Sequence, residues 1–378
     1  MKILHLITSL NTGGAERMLA KLVTGMDGTR FENRVISMLA PGPVALEIES
    51  ANIPVESLGL SRGMPHPGAL WRLMGMMRSF RPDVVQTWLY HADLLGLLAS
   101  FLSGRPPVVW NIRNADLELA ATNRMTSAVL CINVRLSKFP AAVVSNSRQA
   151  VEFHEQAGYK PRQWAVLPNG FDINTFKPDA EARVEFRREL NLPDDAVLVG
   201  HCARFDPVKD HATFLAAARS IARDMPEAHF VMCGDGVTGD NAETSLFADA
   251  LADPVLGTRL HLLGRRSRVE RFMAGLDVFC LTSLSEGFPN VLGEAMACGV
   301  PCITTDTGDC RDIVGETGLI ISPADVVGLI EALRSLLSLA PHGRLAKGQA
   351  ARERIVVQYS LTAIVANYQN LYSKIVAA

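Results

Sequence analysis

The chain of 378 residues is too long for one ordinary core and fits two domains of roughly 150 to 200 residues each. Hydrophobic residues make up 48% and charged residues 20%, which excludes a disordered or fibrous chain. The formal net charge of −2 is uneven: residues 1–165 hold 17 Lys and Arg against 12 Asp and Glu, a surplus of five that leaves −7 for the remainder.

In chain order, the opening MKILHLITSLNTGG has a short apolar run, but polar Thr8, Ser9 and Asn11 come too soon for the apolar region of a signal peptide. It is expected to form a first buried strand. Gly13 and Gly14 then remove side chains where the chain turns, and a helix from about Ala15 carries Glu16 in its first turn. Such a helix start favours an anion, although an ordinary strand-to-helix turn uses the same glycines.

Apolar runs next alternate with helical periodicity: NRVISML, IPVESLGL, DVVQTW with a helix from about Ala92, PVVWNI, AAVVSNS and WAVLPN. Two helix-like stretches, LWRLMGMMRSFRP (70–82) and NRMTSAVLCINVRLSKF (123–139), carry basic residues and no acidic ones. They read as a solvated basic face, the commoner case, or as a surface for an anionic membrane or acceptor. Too few aromatic residues are interleaved with the cations to suggest a nucleic-acid surface.

LPNGFDINTFKPD (167–179) has neither period and is expected to be a hinge. The alternation resumes with AVLVGHCA, HFVMCGD, RLHLLG, DVFCLTS, PCITTD and GLIISP. The final SLTAIVANYQNLYSKIVA is an amphipathic helix with no strand after it, free to pack back across the hinge. The pattern predicts two doubly wound α/β domains, 1–167 and 168–358, with a terminal helix at 359–378. Ligands of such sheets bind beyond the carboxyl ends of the strands, so the site is expected in the crevice where the two sheets face each other.

No run of ~18 apolar residues suggests a membrane span. The seven cysteines form no CxxC pair and fit reduced thiols in a cytoplasmic protein.

Among the strand-end motifs, HCARFDPVKDHATFL places Arg204 and Lys209 between a strand and a helix, where two cations suit a diphosphate. The competing reading pairs them with Asp206 and Asp210 on the surface. No DxD or His cluster marks a metal site, so no metal or other cofactor is expected. Gly234, Gly236 and Gly239 fit GxGxxG after a strand. The motif fails on context, because no helix or second acid-ended strand follows at the required distance, and it reads as a tight turn.

The most informative stretch is EGFPNVLGEAMACGVPCITTD. Pro289 is expected at the first helical position, with Asn290 to Cys298 as the body and Gly299 just past the end. Amides at residues 288–291, in the segment Gly287, Phe288, Pro289, Asn290 and Val291, would face an anion. Glu286 stands ahead of that helix and Glu294 one turn inside it. Carboxylates beside an anion site are explained if they accept hydrogen bonds from hydroxyls of the same ligand, as in a nucleotide sugar. The competing reading is a pair of exposed acids favoured by the helix dipole.

These residues resemble the retaining glycosyltransferases of family 4, which have the GT-B fold. The resemblance runs through the GG loop, SNS at 145–147, NGFD with Phe176, Arg204 with Lys209, and EGFPNVLGEAMACGVPCITTDTG. It implies an acceptor-binding first domain and a donor-binding second domain. Glu286 would meet the donor sugar, Glu294 the ribose, Arg204 and Lys209 the diphosphate, and Gly264 and Arg265 the base. The implied enzyme moves a hexose or N-acetylhexosamine from a nucleotide diphosphate sugar, with UDP expected, to a saccharide or lipid-linked acceptor. It would work without metal, with retention, and at or near the inner face of a membrane. PPVVWNIRNAD departs from the family by placing Arg113, followed by Asn114, where many members have a His; His91 is the alternative acceptor-side or sugar contact. A sugar-nucleotide epimerase on this fold and a nucleotide-sugar-binding protein without turnover are the other readings.

Overall fold

The computed structural model describes residues 1–61, 67–113, 124–193 and 195–378. The chain divides into two compact units, Met1–Gly170 with Leu361–Ala378, and Phe171–Ser360. The crossings thus fall at 170/171 and 360/361, against expected boundaries at 167/168 and 358/359.

The first unit is built on seven parallel strands, β1 (Lys2–Ile7), β2 (Glu32–Leu39), β3 (Val55–Leu60), β4 (Val84–Trp88), β5 (Val108–Ile112), β6 (Ala142–Ser145) and β7 (Trp164–Val166). Their order is β3-β2-β1-β4-β5-β6-β7, so the sheet reverses direction of growth between β1 and β4. Strands β4 and β5 are buried at every position, which is why they read as unbroken apolar runs rather than as alternation. One face is covered by α1 (Gly14–Gly25), α2 (Pro43–Ser50) and the terminal helix, here α15 (Leu361–Ala377). The other face is covered by α3 (Pro67–Phe80), α4 (Tyr90–Phe101) and α5 (Arg124–Leu136). Helix α6 (Arg148–Gln156) follows β6, with the Ser147 side chain capping its start at the Ala150 amide.

The terminal helix is fixed to the first unit by polar as well as apolar contacts. Ile364, Val365, Tyr368 and Tyr372 enter the core under α1, and the Tyr372 hydroxyl donates to Gln86 on β4 at 2.9 Å.

The second unit has six parallel strands, β8 (Val197–Cys202), β9 (Ala228–Cys233), β10 (Leu260–Leu262), β11 (Val278–Leu281), β12 (Cys302–Thr305) and β13 (Leu319–Ile321). They lie in the order β10-β9-β8-β11-β12-β13, with the reversal between β8 and β11. The helices of this unit that matter below are α7 (Ala180–Glu189), α8 (His211–Asp224), α9 (Leu246–Ala252), α10 (Val269–Gly275) and α11 (Asn290–Ala297). The remaining three are α12 (Cys310–Val314), α13 (Val326–Leu337) and α14 (Pro341–Arg354). Among the described residues, no helix is long and apolar enough to cross a membrane.

Four histidines of the second unit, His201, His211, His229 and His261, are held neutral. Burial, with help from His211 and Lys209, keeps His201 well below its ordinary value; burial and the adjacent His229 bring His261 to about 4. His211 and His229 are lowered too, chiefly by burial. The unfolded chain binds these protons below about pH 6.5 and the native unit does not, so stability is complete above that pH and is lost as pH falls toward 4. In the first unit burial likewise lowers His5, to about 4, and His91 and His154, but the buried Asp93 carboxyl is pushed well above its usual range and acts with the opposite sign. The second unit should therefore be the more acid-labile of the two, with a slope approaching ~1.4 kcal/mol per pH unit for each such histidine. Hydrogen exchange of peptides from 197–305 checks this, since Trp71, Trp88, Trp110 and Trp164 all lie in the first unit and report on it alone. Protection unchanged between neutral pH and pH 4 would contradict it.

Candidate functional site

The loops that follow β8 and β11 leave the sheet on either side of its reversal, the place where an open α/β sheet offers a crevice. In the second unit they are interlocked. The Leu284 amide donates to the Val208 carbonyl at 2.7 Å, and the Thr282 hydroxyl lies 3.0 Å from the Asp210 carbonyl and 3.2 Å from His201 Nε2.

Local sequence explains the first loop. The Asp206 side chain accepts from the Val208 amide and starts a single 3-10 turn, Pro207–Lys209. Asp210 then takes a left-handed conformation, φ 46°, and its side chain accepts from the Thr213 amide to begin α8. Lys209, between these two caps, is aimed at the second loop. Its Nζ is 2.6 Å from Glu286 Oε1, with the Lys209 and Glu286 side chains 22% and 11% exposed. The Ser283 hydroxyl donates to the same oxygen at 2.6 Å. Of the two surface pairings considered from sequence, only Arg204 with Asp206 forms, at 2.8 Å, with the Arg204 side chain 70% exposed; Asp210 is a helix cap.

A third strand-end loop closes over the second. Gly308 has φ 54°, and a Cβ there would overlap the carbonyls of Glu286 and Gly287. The Asp309 amide donates to the Gly287 carbonyl at 2.9 Å, and Thr305 Oγ1 to the Ser283 carbonyl at 2.6 Å. Sequence reading did not single out Ser283, Thr282 or Gly308. The only signal was a glycine beyond a strand end in TDTG.

Helix α11 starts one residue later than expected. Pro289 is extended, φ −76° and ψ 104°, and is the N-cap rather than the first helical residue. Pro289 also has no N–H, so the expected run of amides over 288–291 is broken there and the helical ones begin at Asn290. Gly299, φ 74°, ends the helix in the left-handed conformation as expected. Glu294 is half-buried on α11. It lies near the end of β8: the Cys202 thiol is pushed well above its usual value by its hydrogen bond with Cys233 and by burial, and further by the Cys233 and Glu294 charges.

Phe171, from the NGFD segment, seats this helix. A Cβ at Gly293 would fall inside the Phe171 ring; Phe288 stacks on Phe171 at 6.1 Å, and Tyr359 lies 6.2 Å from Phe288. The Phe171 amide donates to the Tyr359 carbonyl at 2.8 Å. On the other side of β8, the Gly234 amide donates to the Gly264 carbonyl and the Gly264 amide to the Val237 carbonyl, at 2.9 and 3.0 Å. Gly234 also meets the Ala203 carbonyl where a Cβ would stand. The Gly264–Arg265 loop is thereby carried next to the Arg204 loop, with Arg265 exposed.

In the first unit, Gly13 is the N-cap of α1 without a side-chain bond. The Glu16 carboxylate folds back over Gly13 and accepts from Ser9 Oγ at 3.0 Å, so the helix start already has an acid beside it. His91 is half-buried at the start of α4, and burial lowers its pKa. Arg113 is fully engaged within the unit. It donates to Asn111 Oδ1 at 3.0 Å, Asn169 Oδ1 at 2.5 Å and the Tyr368 hydroxyl at 2.7 Å, and lies over the Trp88 ring. Asn114 lies outside the described residues.

A cavity of about 780 Å³ in the second unit opens at the opposite, amino-terminal edge of its sheet. Its Arg183 and Arg187 both pair with Asp277, at 2.6 and 3.2 Å, and brace the strand starts.

Residues 12–175 match the family described as Glycosyltransferase Family 4, and residues 196–339 match Glycosyl transferases group 1. The chain belongs to the family 4 glycosyltransferases. A putative glycosyltransferase, EpsF of Bacillus subtilis (strain 168), is 26% identical over 81% of this chain and 79% of its own. The Escherichia coli enzyme named UDP-Gal:alpha-D-GlcNAc-diphosphoundecaprenol alpha-1,3-galactosyltransferase is 25% identical over 80% of this chain and 78% of its own. The crystal structure of Anabaena HepE in complex with UDP superposes with a TM-score of 0.84 at 23% identity, covering 99% of this chain and 100% of that one. The fold of this glycosyltransferase is accordingly GT-B, two Rossmann-like domains.

The seat of α11 is testable. Gly293→Ala should destabilise the second unit of the glycosyltransferase by about 1–3 kcal/mol through overpacking against Phe171. Adding Phe171→Leu should recover part of that loss, a coupling of about 0.5–3 kcal/mol in a double-mutant cycle followed by urea unfolding. Strict additivity would show that the two do not share a contact.

Proposed function

We propose that this glycosyltransferase transfers a hexose or N-acetylhexosamine, with retention and without metal, from a UDP sugar to a saccharide or lipid-linked saccharide. The observation that carries the reading is the Lys209–Glu286 pair at the reversal of the donor-side sheet, with Arg204 on the same loop as Lys209. A cation and a hydroxyl-accepting carboxylate side by side suit the two ends of a sugar–phosphate bond. The UDP and UDP-glucose complexes of Anabaena HepE, and the diphosphoundecaprenol acceptor in the name of the E. coli relative, support the donor and acceptor classes.

In this reading Lys209 exchanges Glu286 for the diphosphate when the donor binds, and Arg204 joins it from the surface. Glu286, still held by Ser283, then receives the sugar hydroxyls, and Glu294 the ribose. The Gly264–Arg265 loop borders the base. The acceptor hydroxyl oxygen forms the new bond to the anomeric carbon as the bond from that carbon to the phosphate oxygen breaks. A diphosphate oxygen on the same face takes the acceptor proton, so no side-chain nucleophile is required. The work is positioning and stabilisation of the departing charge.

Glu286→Gln should lower kcat about 10²–10³-fold and leave UDP affinity unchanged or slightly tighter, because it also releases Lys209. Lys209→Ala should instead weaken UDP binding by about 10–100-fold. Donor hydrolysis and transfer assays across a panel of nucleotide sugars in EDTA, with UDP titrations, measure these. Loss of UDP binding in Glu286→Gln with transfer spared would reverse the assignment, and turnover that needs added Mg²⁺ or Mn²⁺ would sink metal independence. Binding without turnover under every acceptor would make the protein a sensor.

A further inference from the structure

The cavity of about 780 Å³ at the amino-terminal edge of the second sheet has no part in the transfer reaction. Helix α7 supplies one of its walls. Arg183 and Arg187 are four positions apart, as are Val184 and Arg188, so all four side chains share one face of the helix and line the cavity. Arg344, near the start of α14, lines it as well.

Cations outnumber acids on this lining. Among the described residues it holds four arginines against Asp195 and Asp277, an excess of two; Asp194 lies outside them. Asp277 is already committed, accepting from Arg183, from Arg187 and from the Leu198 amide. Arg188 is exposed and, among the described residues, has neither an ion pair nor a side-chain hydrogen bond, even with Asp195 nearby on the same wall. Arg344 spends Nη1 on the Leu337 and Leu339 carbonyls and keeps its remaining donors.

Two further features set the cavity apart from a solvated basic patch. Helix α14 begins at Pro341 on its wall, with no side-chain cap at Ala340 and no acid in the first turn, so the positive end of a 14-residue helix adds to the arginines. Val184, 54% exposed, and Leu192 put apolar surface next to these charges.

We propose that this cavity binds a phosphorylated small molecule, a phosphate monoester whose charge meets Arg188, Arg344 and the start of α14 and whose carbon skeleton lies on Val184 and Leu192. The volume suits a sugar phosphate or a nucleoside monophosphate, since small-molecule pockets run from about 300 to 1,000 Å³. Inorganic phosphate would leave the apolar wall uncovered, and the excess of arginine repels a metal cation. The cavity lies at the opposite edge of the sheet from the loops that carry Lys209 and Glu286, so its occupant does not compete with a ligand held there.

Calorimetric titration of the full chain at about 0.1 M salt tests this without donor or acceptor, so its outcome is independent of the transferase reading. Glucose 6-phosphate or AMP should bind with a Kd of about 1 mM or tighter. Inorganic phosphate should bind about tenfold more weakly for want of the apolar contact, and glucose and adenosine should not bind. Arg188→Gln should weaken the ester about tenfold, and adding Arg344→Gln should bring the loss to about a hundredfold. Melting temperatures check the fold, and Arg188→Gln decides alone if the double variant does not fold, because Arg188 holds nothing else in place. Lys209→Ala should leave the affinity unchanged. The proposal is overturned if neither ester binds, if inorganic phosphate binds as tightly as the esters, or if folded Arg188→Gln retains full affinity. Affinity lost in Lys209→Ala overturns it too, by moving the anion to the other edge of the sheet.

Discussion

In the second unit the loops at the sheet reversal converge on one ion pair, Lys209 with Glu286. A buried pair of this kind contributes little net stability, because desolvation offsets most of the attraction, whereas removing one partner leaves an uncompensated charge. Its value lies in orientation. Ser283 fixes the carboxylate from the other side, and Asp206 and Asp210 fix the turn that aims the lysine. An anion recruited by Lys209 would have to compete with Glu286, so its binding would be an exchange of partners rather than the capture of a waiting cation.

Keeping that pair in place demands close backbone approach among four strand-end loops. Gly234 admits the Ala203 carbonyl, Gly308 admits the carbonyls of Glu286 and Gly287, and Gly293 admits the Phe171 ring. Each is a position where any side chain would push a loop away from its neighbour. Gly234 and Gly308 also take positive φ, so substitution there is strained as well as crowded. The GxGxxG run is part of this packing: Gly234 joins the β8 and β10 loops, which is why it follows a strand without leading into a helix that receives a dinucleotide.

The strands were legible because most are buried on both faces and read as apolar runs, as in VVWNI and VLVGHC. The Glu286 segment was legible through its spacing of acids and glycines around a helix start. Pairing was not. Lys209 and Glu286 are 77 positions apart, and nothing local favours Glu286 over the nearer Asp206 and Asp210, which turn out to be needed as caps. The placement of Pro289 failed by one residue because a proline suits either the cap or the first turn, and tertiary packing of Phe288 against Phe171 decides between them.

Arg113 shows how far such long-range pairing changes a residue's meaning. A cation at a strand end of the first sheet looks like a contact for a polar ligand. In the fold its donors go to Asn111, Asn169 and Tyr368, the last 255 positions away on α15. Asn169 stands just before the chain leaves the first unit at Gly170, and α15 begins where the chain returns at Leu361. One guanidinium therefore ties the departing and returning segments to β5. The planar fork of arginine reaches all three oxygens at once, which neither a histidine nor a lysine would do with the same geometry. The departure from the family pattern at this position is thus a structural one: the side chain is spent on holding the terminal helix.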